Sequence, residues 1–98
     1  MIAHKGENII VGSHFVGVDG AFSLAEYTVR CLVTDIVGRE VYNLEDSDVV
    51  RGEDNCVACV IPARQTRLMK SGAYFLSFEL WLKGEKVLSN EVEQVDII

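Results

Sequence analysis

The amino-acid sequence predicts an all-β protein in which seven to eight antiparallel strands form a two-sheet sandwich. Three observations predict this class. Apolar residues recur with a period of two along most of the chain, which is typical of strands with one buried face. Turn-forming residues interrupt the pattern roughly every ten positions. Only one segment, at about residues 62–71, is flanked by residues that typically start and end a helix.

Two segments show the strand pattern most clearly. In the first, around residues 26–35, one predicted face carries Tyr27, Val29, Cys31 and Val33. In the second, around residues 73–83, one face carries Tyr74, Leu76, Phe78, Leu80 and Leu82, and the other carries Phe75, Ser77, Glu79, Trp81 and Lys83. Because the second face holds two large aromatic side chains, we expect it to be partly covered.

Shorter runs supply the other strands. They are predicted at 7–12, 13–19, 39–44, 48–52, 56–61 and 85–98, with the first two separated at Gly12 and a tight turn at Gly84. Pro62 and Gly72 flank the single predicted helical segment, which we interpret as a crossover between sheets. Tyr74 then follows the crossover, close to where immunoglobulin-like sandwiches place a corner tyrosine. We therefore predict an immunoglobulin-like architecture in one domain, residues 1–98.

The spacing Cys56-x-x-Cys59 allows a redox dithiol, half of a zinc site, or two unrelated thiols in a strand. Residues three apart in a strand point to opposite faces and lie about 10 Å apart, which is too far for a disulfide. The sequence also lacks a pair of histidines at the short spacing that is typical of zinc ligands. The favoured interpretation is a buried strand that uses cysteine as a small apolar residue, with no cofactor and no metal.

The net charge and the lack of a secretory signal restrict the partners and the compartment expected for this protein. The net charge is −6, and no basic stripe accompanies it, so nucleic acid and anionic membranes are not expected partners. An acidic segment contains Asp46 and Asp48 with the spacing of calcium ligands, but the closing glutamate of a calcium loop is missing. Three cysteines without a secretory signal predict a cytoplasmic protein, or a component of a virion tail particle.

Two further stretches have a recognisable pattern. The first is "DGAFSLAEYTVRCLVTD", with Asp19, Gly20, Leu24, Tyr27 and Val29. The second is "QTRLMKSGAYFLSFELWLKG", with Thr66, Gly72 and Tyr74. Together they resemble β-sandwich modules of bacteriophage tails, namely the N-terminal domains of BppU-type baseplate proteins. The resemblance extends over about residues 12–98. It implies a structural module without catalysis that contacts a protein partner or forms a homo-oligomer, and it assigns no functional residues.

The leading hypothesis is a non-enzymatic protein-interaction or assembly module. Its expected interaction face is the second face of the long strand, formed by Phe75, Ser77, Glu79 and Trp81, unless the chain's own elements cover that face. One alternative is a small-ligand or carbohydrate-binding sandwich that uses Trp81, Tyr42 or Phe15 as stacking platforms. Another is a thiol redox or metal protein centred on Cys56 and Cys59.

Overall fold

The computed structural model describes residues 1–15 and 23–98. These residues form eight strands, one short α-helix and two 3-10 helices. The strands are β1 Ile2–Ala3, β2 Ile9–His14, β3 Thr28–Thr34, β4 Glu40–Leu44, β5 Val50–Arg51, β6 Cys56–Ile61, β7 Gly72–Leu82 and β8 Glu85–Ile97. The helix α1 is Ala63–Thr66, and the 3-10 helices are Leu24–Glu26 and Asp46–Asp48.

The strands form two sheets, which confirms the predicted all-β class. The larger sheet has the order β1-β8-β7-β3-β4, and the smaller has the order β2-β6-β5. Seven of the strands pair antiparallel, as predicted. The strand β1 was not predicted, and it departs from the expected antiparallel arrangement because it pairs parallel with β8, with Ala3 opposite Ile97.

The hydrophobic core lies between the two sheets. The small sheet contributes Ile9, Val11, Val57, Cys59 and Ile61, and the large sheet contributes Val29, Cys31, Val33, Leu76, Phe78, Leu80 and Val95, among others. Phe15 at the end of β2 meets Phe78 of β7 edge to face, with ring centroids 6.5 Å apart. Burial of these side chains is the principal stabilising term of such a domain.

Two local predictions need correction. The predicted break at Gly12 was wrong, because β2 continues through this residue and pairs Gly12 with Ala58 of β6. A Cβ atom at Gly12 would lie 3.4 Å from the carbonyl oxygen of Val57, so the two strands approach closely there. The remainder of the predicted strand 13–19, together with Asp19 and Gly20 of the quoted stretch, lies outside the described residues.

The crossover at 62–71 contains less helix than predicted. Only Ala63–Thr66 is α-helical, and Pro62 immediately precedes it in extended conformation. Thr66 is fully buried: its hydroxyl donates to the Glu7 carbonyl at 2.7 Å and accepts from the Gly6 amide at 3.1 Å. The Tyr74 hydroxyl donates to the Lys70 carbonyl at 2.7 Å. Thr66 therefore ties the helix to residues 6 and 7, and Tyr74 ties down the end of the crossover.

The hairpin between β7 and β8 matches its prediction. Lys83 and Gly84 connect the strands, and both have positive φ, at 52° and 80°. A two-residue connection with two left-handed residues follows the right-handed twist of the strands.

We predict that Thr66→Val destabilises the protein by about 1–3 kcal/mol, because valine keeps the volume but leaves the Gly6 amide and Glu7 carbonyl without their partner. Urea denaturation followed by circular dichroism measures the change. Thr28→Val, at an exposed position on β3, is the matched control and should shift stability by no more than about 0.5 kcal/mol. Equal effects of the two substitutions would contradict a structural role for the Thr66 hydroxyl.

Candidate interaction surfaces

The predicted interaction face lies at the centre of the large sheet. Phe75, Ser77, Glu79 and Trp81 share one side of β7, which pairs with β3 on one edge and β8 on the other. Phe75, Ser77 and Trp81 are half-buried, and Glu79 is only 7% exposed. The neighbouring strands therefore cover part of this face with their own side chains.

A charged network surrounds Glu79. Oε1 of Glu79 lies 3.6 Å from a guanidinium nitrogen of Arg30 on β3 and accepts a hydrogen bond of 3.1 Å from the indole of Trp81. Oε2 lies 3.5 Å from Nζ of Lys86 on β8. Two cations and one indole N–H therefore compensate the cost of burying this carboxylate.

Arg30 connects this network to a second group of acids. Its guanidinium lies 3.3 Å from Glu45 and 3.9 Å from Glu40, and it is placed over the Trp81 ring at 5.9 Å from the centroid. A cation in this position is attracted by the electron-rich face of the indole. One side of the Trp81 ring is therefore already occupied by the chain itself.

Two β-bulges bring charged side chains into the network. The register between β7 and β8 shifts after Leu80, so that Lys86 rather than Val87 lies opposite Trp81. The register between β3 and β4 shifts after Val33, so that Glu40 rather than Val41 lies opposite Thr34. An extra residue in a strand reverses the facing of the residues beyond it.

The three proposed stacking platforms are not brought together. Trp81 lies on the outer face of the large sheet. Tyr42 pairs with Val33 and packs against the core, and Phe15 is buried in that core.

The two cysteines of the Cys-x-x-Cys spacing lie on opposite faces of β6, as predicted. Cys56 is half-buried on the outer face, whereas Cys59 points into the core between the sheets. Cys31 of β3 is buried in the same core cluster. The neighbouring Cys59 thiol and burial raise the pKa of the Cys31 thiol well above its ordinary value.

The acidic segment serves to join the sheets. Asp46 accepts a hydrogen bond of 2.8 Å from the Val29 amide of β3 and an ion-paired bond of 2.7 Å from Arg51 of β5. Arg51 also donates to the carbonyls of Leu24, at 2.7 Å, and of Tyr27. The bond from Val29 and the contact with Arg51 lower the pKa of the Asp46 carboxyl.

The small sheet exposes an apolar surface that sequence reasoning missed. We define the small-sheet face as Ile10, Val50, Ala58 and Val60, whose strands pair Ile10 with Val60 and Val50 with Ala58. Ile10 is 71% exposed, Val50 68% and Val60 46%. A signal was present in the sequence, since 9–11 and 57–61 are apolar at every position, which is typical of strands covered on both faces.

A cleft of about 310 Å³ adjoins the small-sheet face. Beside residues of that face, its wall includes Tyr42, Leu44, Cys59 and Pro62, and its rim carries the exposed side chains of Asp48 and Arg64. Neither charged side chain forms an ion pair with any residue in the described part of the chain. The arrangement offers an apolar floor with one acidic and one basic group at its margin.

Comparison with known proteins yields a structural likeness. No protein-family model and no curated protein sequence matches the chain. The X-ray structure of an endo-β-1,4-mannanase from Thermotoga petrophila aligns with 99% of this chain and 17% of its own, with a TM-score of 0.62 and 9% sequence identity. At this identity the likeness concerns the fold alone. Within residues 1–15 and 23–98, no helix has the length and apolar character needed to cross a membrane.

We predict that Asp46→Asn lowers the free energy of unfolding at pH 7 by about 0.5–1 kcal/mol, a modest loss because solvent screens a side chain that is 44% exposed. Since the pKa of Asp46 is lower in the folded than in the unfolded state, its contribution is complete above about pH 4 and is lost as pH falls through the folded value. The gap between variant and wild type should therefore close in acid.

Thermal or urea denaturation between pH 7 and pH 2 measures this gap. Glu85→Gln removes an exposed carboxylate from the hairpin and is the control, with a pH profile parallel to that of the wild type. A stability difference for Asp46→Asn that stayed constant over the whole range would show that ionisation of Asp46 contributes nothing.

Proposed function

We propose that this chain is a non-enzymatic structural or protein-interaction module of the phage or prophage tail and baseplate type, with its sheets packed as an immunoglobulin-like sandwich. The quoted resemblance supports the type. The hydrogen bond from Tyr74 to the Lys70 carbonyl supports the architecture, because a corner tyrosine in such sandwiches bonds to the backbone a few residues upstream.

The small-sheet face is the observation that carries this proposal. Three large aliphatic side chains on three paired strands are exposed together, whereas scattered single exposures are what an ordinary surface shows. The outward positions of β2 and β6 carry no carboxylate, although the chain has 15 acidic residues. Depletion of charge is typical of the centre of a protein interface.

The occupant we propose for this face is a second copy of the chain. A dimer with two-fold symmetry brings the same surface of both copies together, so that a residue i contacts j and j contacts i. Arg64 of one copy then meets Asp48 of the other on both sides of the cleft, which pairs two side chains that have no ion pair within the described part of one copy. Ile10 and Val60 form the centre of this contact.

The edge of the small sheet supports the same arrangement. Among the described residues β2 pairs only with β6, so the backbone groups on its other edge have no strand partner there. An edge strand with an apolar face is a template for pairing with another chain.

The face of Phe75, Ser77, Glu79 and Trp81 is the second candidate contact surface of the same module. Its aromatic side chains are half-buried and its buried acid is already paired with Arg30 and Lys86. A partner there would gain little further desolvation of Trp81, because Arg30 covers one side of the ring. We therefore rank this surface below the small-sheet face.

We predict that Ile10→Lys weakens self-association at least tenfold, because two lysines would be buried at the centre of the dimer without partners. Sedimentation velocity and light scattering over a concentration series measure the dissociation constant. Ile36→Lys is the matched control, since Ile36 is 76% exposed but lies in the turn between β3 and β4, and it should leave the constant unchanged.

A charge exchange sharpens the test. Asp48→Arg should weaken the dimer by repulsion from Arg64, and the double change with Arg64→Asp should restore much of the loss. A wild type that stays monomeric at millimolar concentration would rule out the second copy as occupant. Dissociation by Trp81→Ala but not by Ile10→Lys would move the contact to the large sheet, and stabilisation by glycans in a thermal-shift screen would favour a carbohydrate-binding sandwich instead.

A further inference from the structure

The two sides of β6 are paired to different lengths. On one side β2 pairs with all six residues of β6, whereas on the other side β5 pairs only with Val57 and Ala58. Among the described residues, no strand continues β5 alongside residues 59–61. This half of β6 therefore has an edge without a strand partner in that part of the chain.

A 3-10 helix explains why β5 is so short. The helix Asp46–Asp48 precedes β5. Within it the Asp48 amide donates to the Glu45 carbonyl at 2.8 Å, and the amide of Val49 donates to the carbonyl of the first helical residue at 3.2 Å. Amides that are bonded within this turn cannot also donate to β6. The chain therefore joins the small sheet only at Val50.

The direction of the backbone bonds identifies the open groups on this edge. Successive residues of an antiparallel strand point their N–H and C=O groups alternately to its two sides. The Gly52 amide donates to the Cys56 carbonyl at 2.8 Å, so the even-numbered residues of β6 point to the side of β5. The Phe15 amide donates to the Asn55 carbonyl at 3.1 Å, so the odd-numbered residues point to β2. The N–H and C=O of Val60 therefore point to the side that β5 leaves open.

The cleft beside the small-sheet face lies along this edge. Cys59 and Val60 form part of its wall, and Tyr42 and Leu44 of β4 form the wall on the side of the large sheet. Because β4 is the last strand of the large sheet, the cleft lies where an edge of each sheet approaches the other. Its volume of about 310 Å³ is at the lower end of ordinary ligand pockets, which suits a segment of a few residues.

We propose that this cleft binds an extended polypeptide segment of a partner protein, which adds to the open edge of β6 as a short antiparallel strand. The residue of the segment opposite Val60 donates to the Val60 carbonyl and accepts from its amide. In this mode of recognition main-chain hydrogen bonds give affinity and side-chain pockets give specificity. The inference does not rest on the proposed function, because it requires only one copy of the chain. Since both contacts use Asp48 and Arg64, the segment and a second copy exclude each other.

The side chains around the cleft define the chemistry of the segment. Asp48 lies at the β5 end and Arg64 at the opposite end, beyond Pro62, and neither forms an ion pair within the described part of the chain. An antiparallel segment enters beside Arg64 and leaves beside Asp48. Its residues opposite Cys59 and Ile61 point inward, as those two side chains do. The cleft therefore selects, in chain order, an acidic residue, an apolar residue, any residue, an apolar residue and a basic residue.

A peptide titration followed by NMR tests the proposal. The probe is the blocked peptide acetyl-Glu-Val-Thr-Val-Lys-amide, added to ¹⁵N-labelled protein at a concentration at which sedimentation shows single copies. We expect the Val60 amide resonance to shift and to saturate. We also expect its hydrogen exchange to slow by about tenfold when the free peptide reaches ten times the dissociation constant, because the bound amide donates to the peptide.

Two control peptides separate strand addition from other modes of binding. Methylation of the central threonine nitrogen removes the donor to the Val60 carbonyl and keeps every side chain, so it should weaken binding by about tenfold. Exchange of the charged residues, as in acetyl-Lys-Val-Thr-Val-Glu-amide, should weaken binding by about fivefold through repulsion from Arg64 and Asp48. Equal affinity for all three peptides, or an unchanged Val60 resonance at millimolar peptide, would overturn the proposal.

A variant of the protein provides the reciprocal test. Arg64→Glu should weaken binding of the first peptide by about fivefold and reverse the preference between the two charge patterns. Lys70→Glu is the matched control, since Lys70 is exposed on the crossover and does not border the cleft, and it should leave both affinities unchanged. An unaltered preference in Arg64→Glu would show that Arg64 does not recognise the acidic residue, and the assigned pattern would be wrong.

Discussion

Burial of one face of β7 is the interaction on which the rest of the structure depends. The inward side chains of this strand, from Tyr74 to Leu80, form the large sheet's central contribution to the core, and Phe78 meets Phe15 from the opposite sheet. The same strand pairs with β3 and β8 along its length. Because β7 is central to the sheet, its other face can hold only side chains that tolerate close neighbours on both sides.

The outer faces of the two sheets therefore differ in polarity. On the large sheet, the charge of Glu79 is compensated by Arg30 and Lys86, and Arg30 also lies near Glu40 and Glu45, although the buried Nε of Arg30 has no hydrogen-bond partner within the described part of the chain. On the small sheet, Ile10 and Val60 are paired across strands and remain largely exposed. Covering Ile10 and Val60 would therefore release water from apolar surface, which is entropically favourable.

Sequence periodicity predicts the strands with clear apolar alternation. It does not predict features that depend on the position of a second strand. The alternation through Val29 and Cys31, or through Leu76 and Phe78, predicts β3 and β7 because apolar residues at every second position lie on the buried face of a strand. The bulges that turn Lys86 and Glu40 outward depend on the register of a neighbouring strand. The packing of Cys31 and Cys59 into one core cluster depends on which strands face each other between the sheets, and no local pattern encodes that.

Turn-forming residues predict the ends of some strands but not of others. Lys83 and Gly84 form the expected tight turn, and both have the positive φ that a type I′ hairpin requires. Gly12 looked like the same signal, yet it lies inside β2 where the backbone of β6 approaches closely. Glycine occurs where two backbones approach closely as well as where the backbone has unusual dihedral angles. A sequence alone does not separate the two cases.

The position of Cys59 in the wall of the cleft has a consequence for the whole surface above it. A body seated on Ile10 and Val60 would also close the approach to this sulfur. Any body that covers the small-sheet face therefore also decides whether solutes reach the Cys59 thiol.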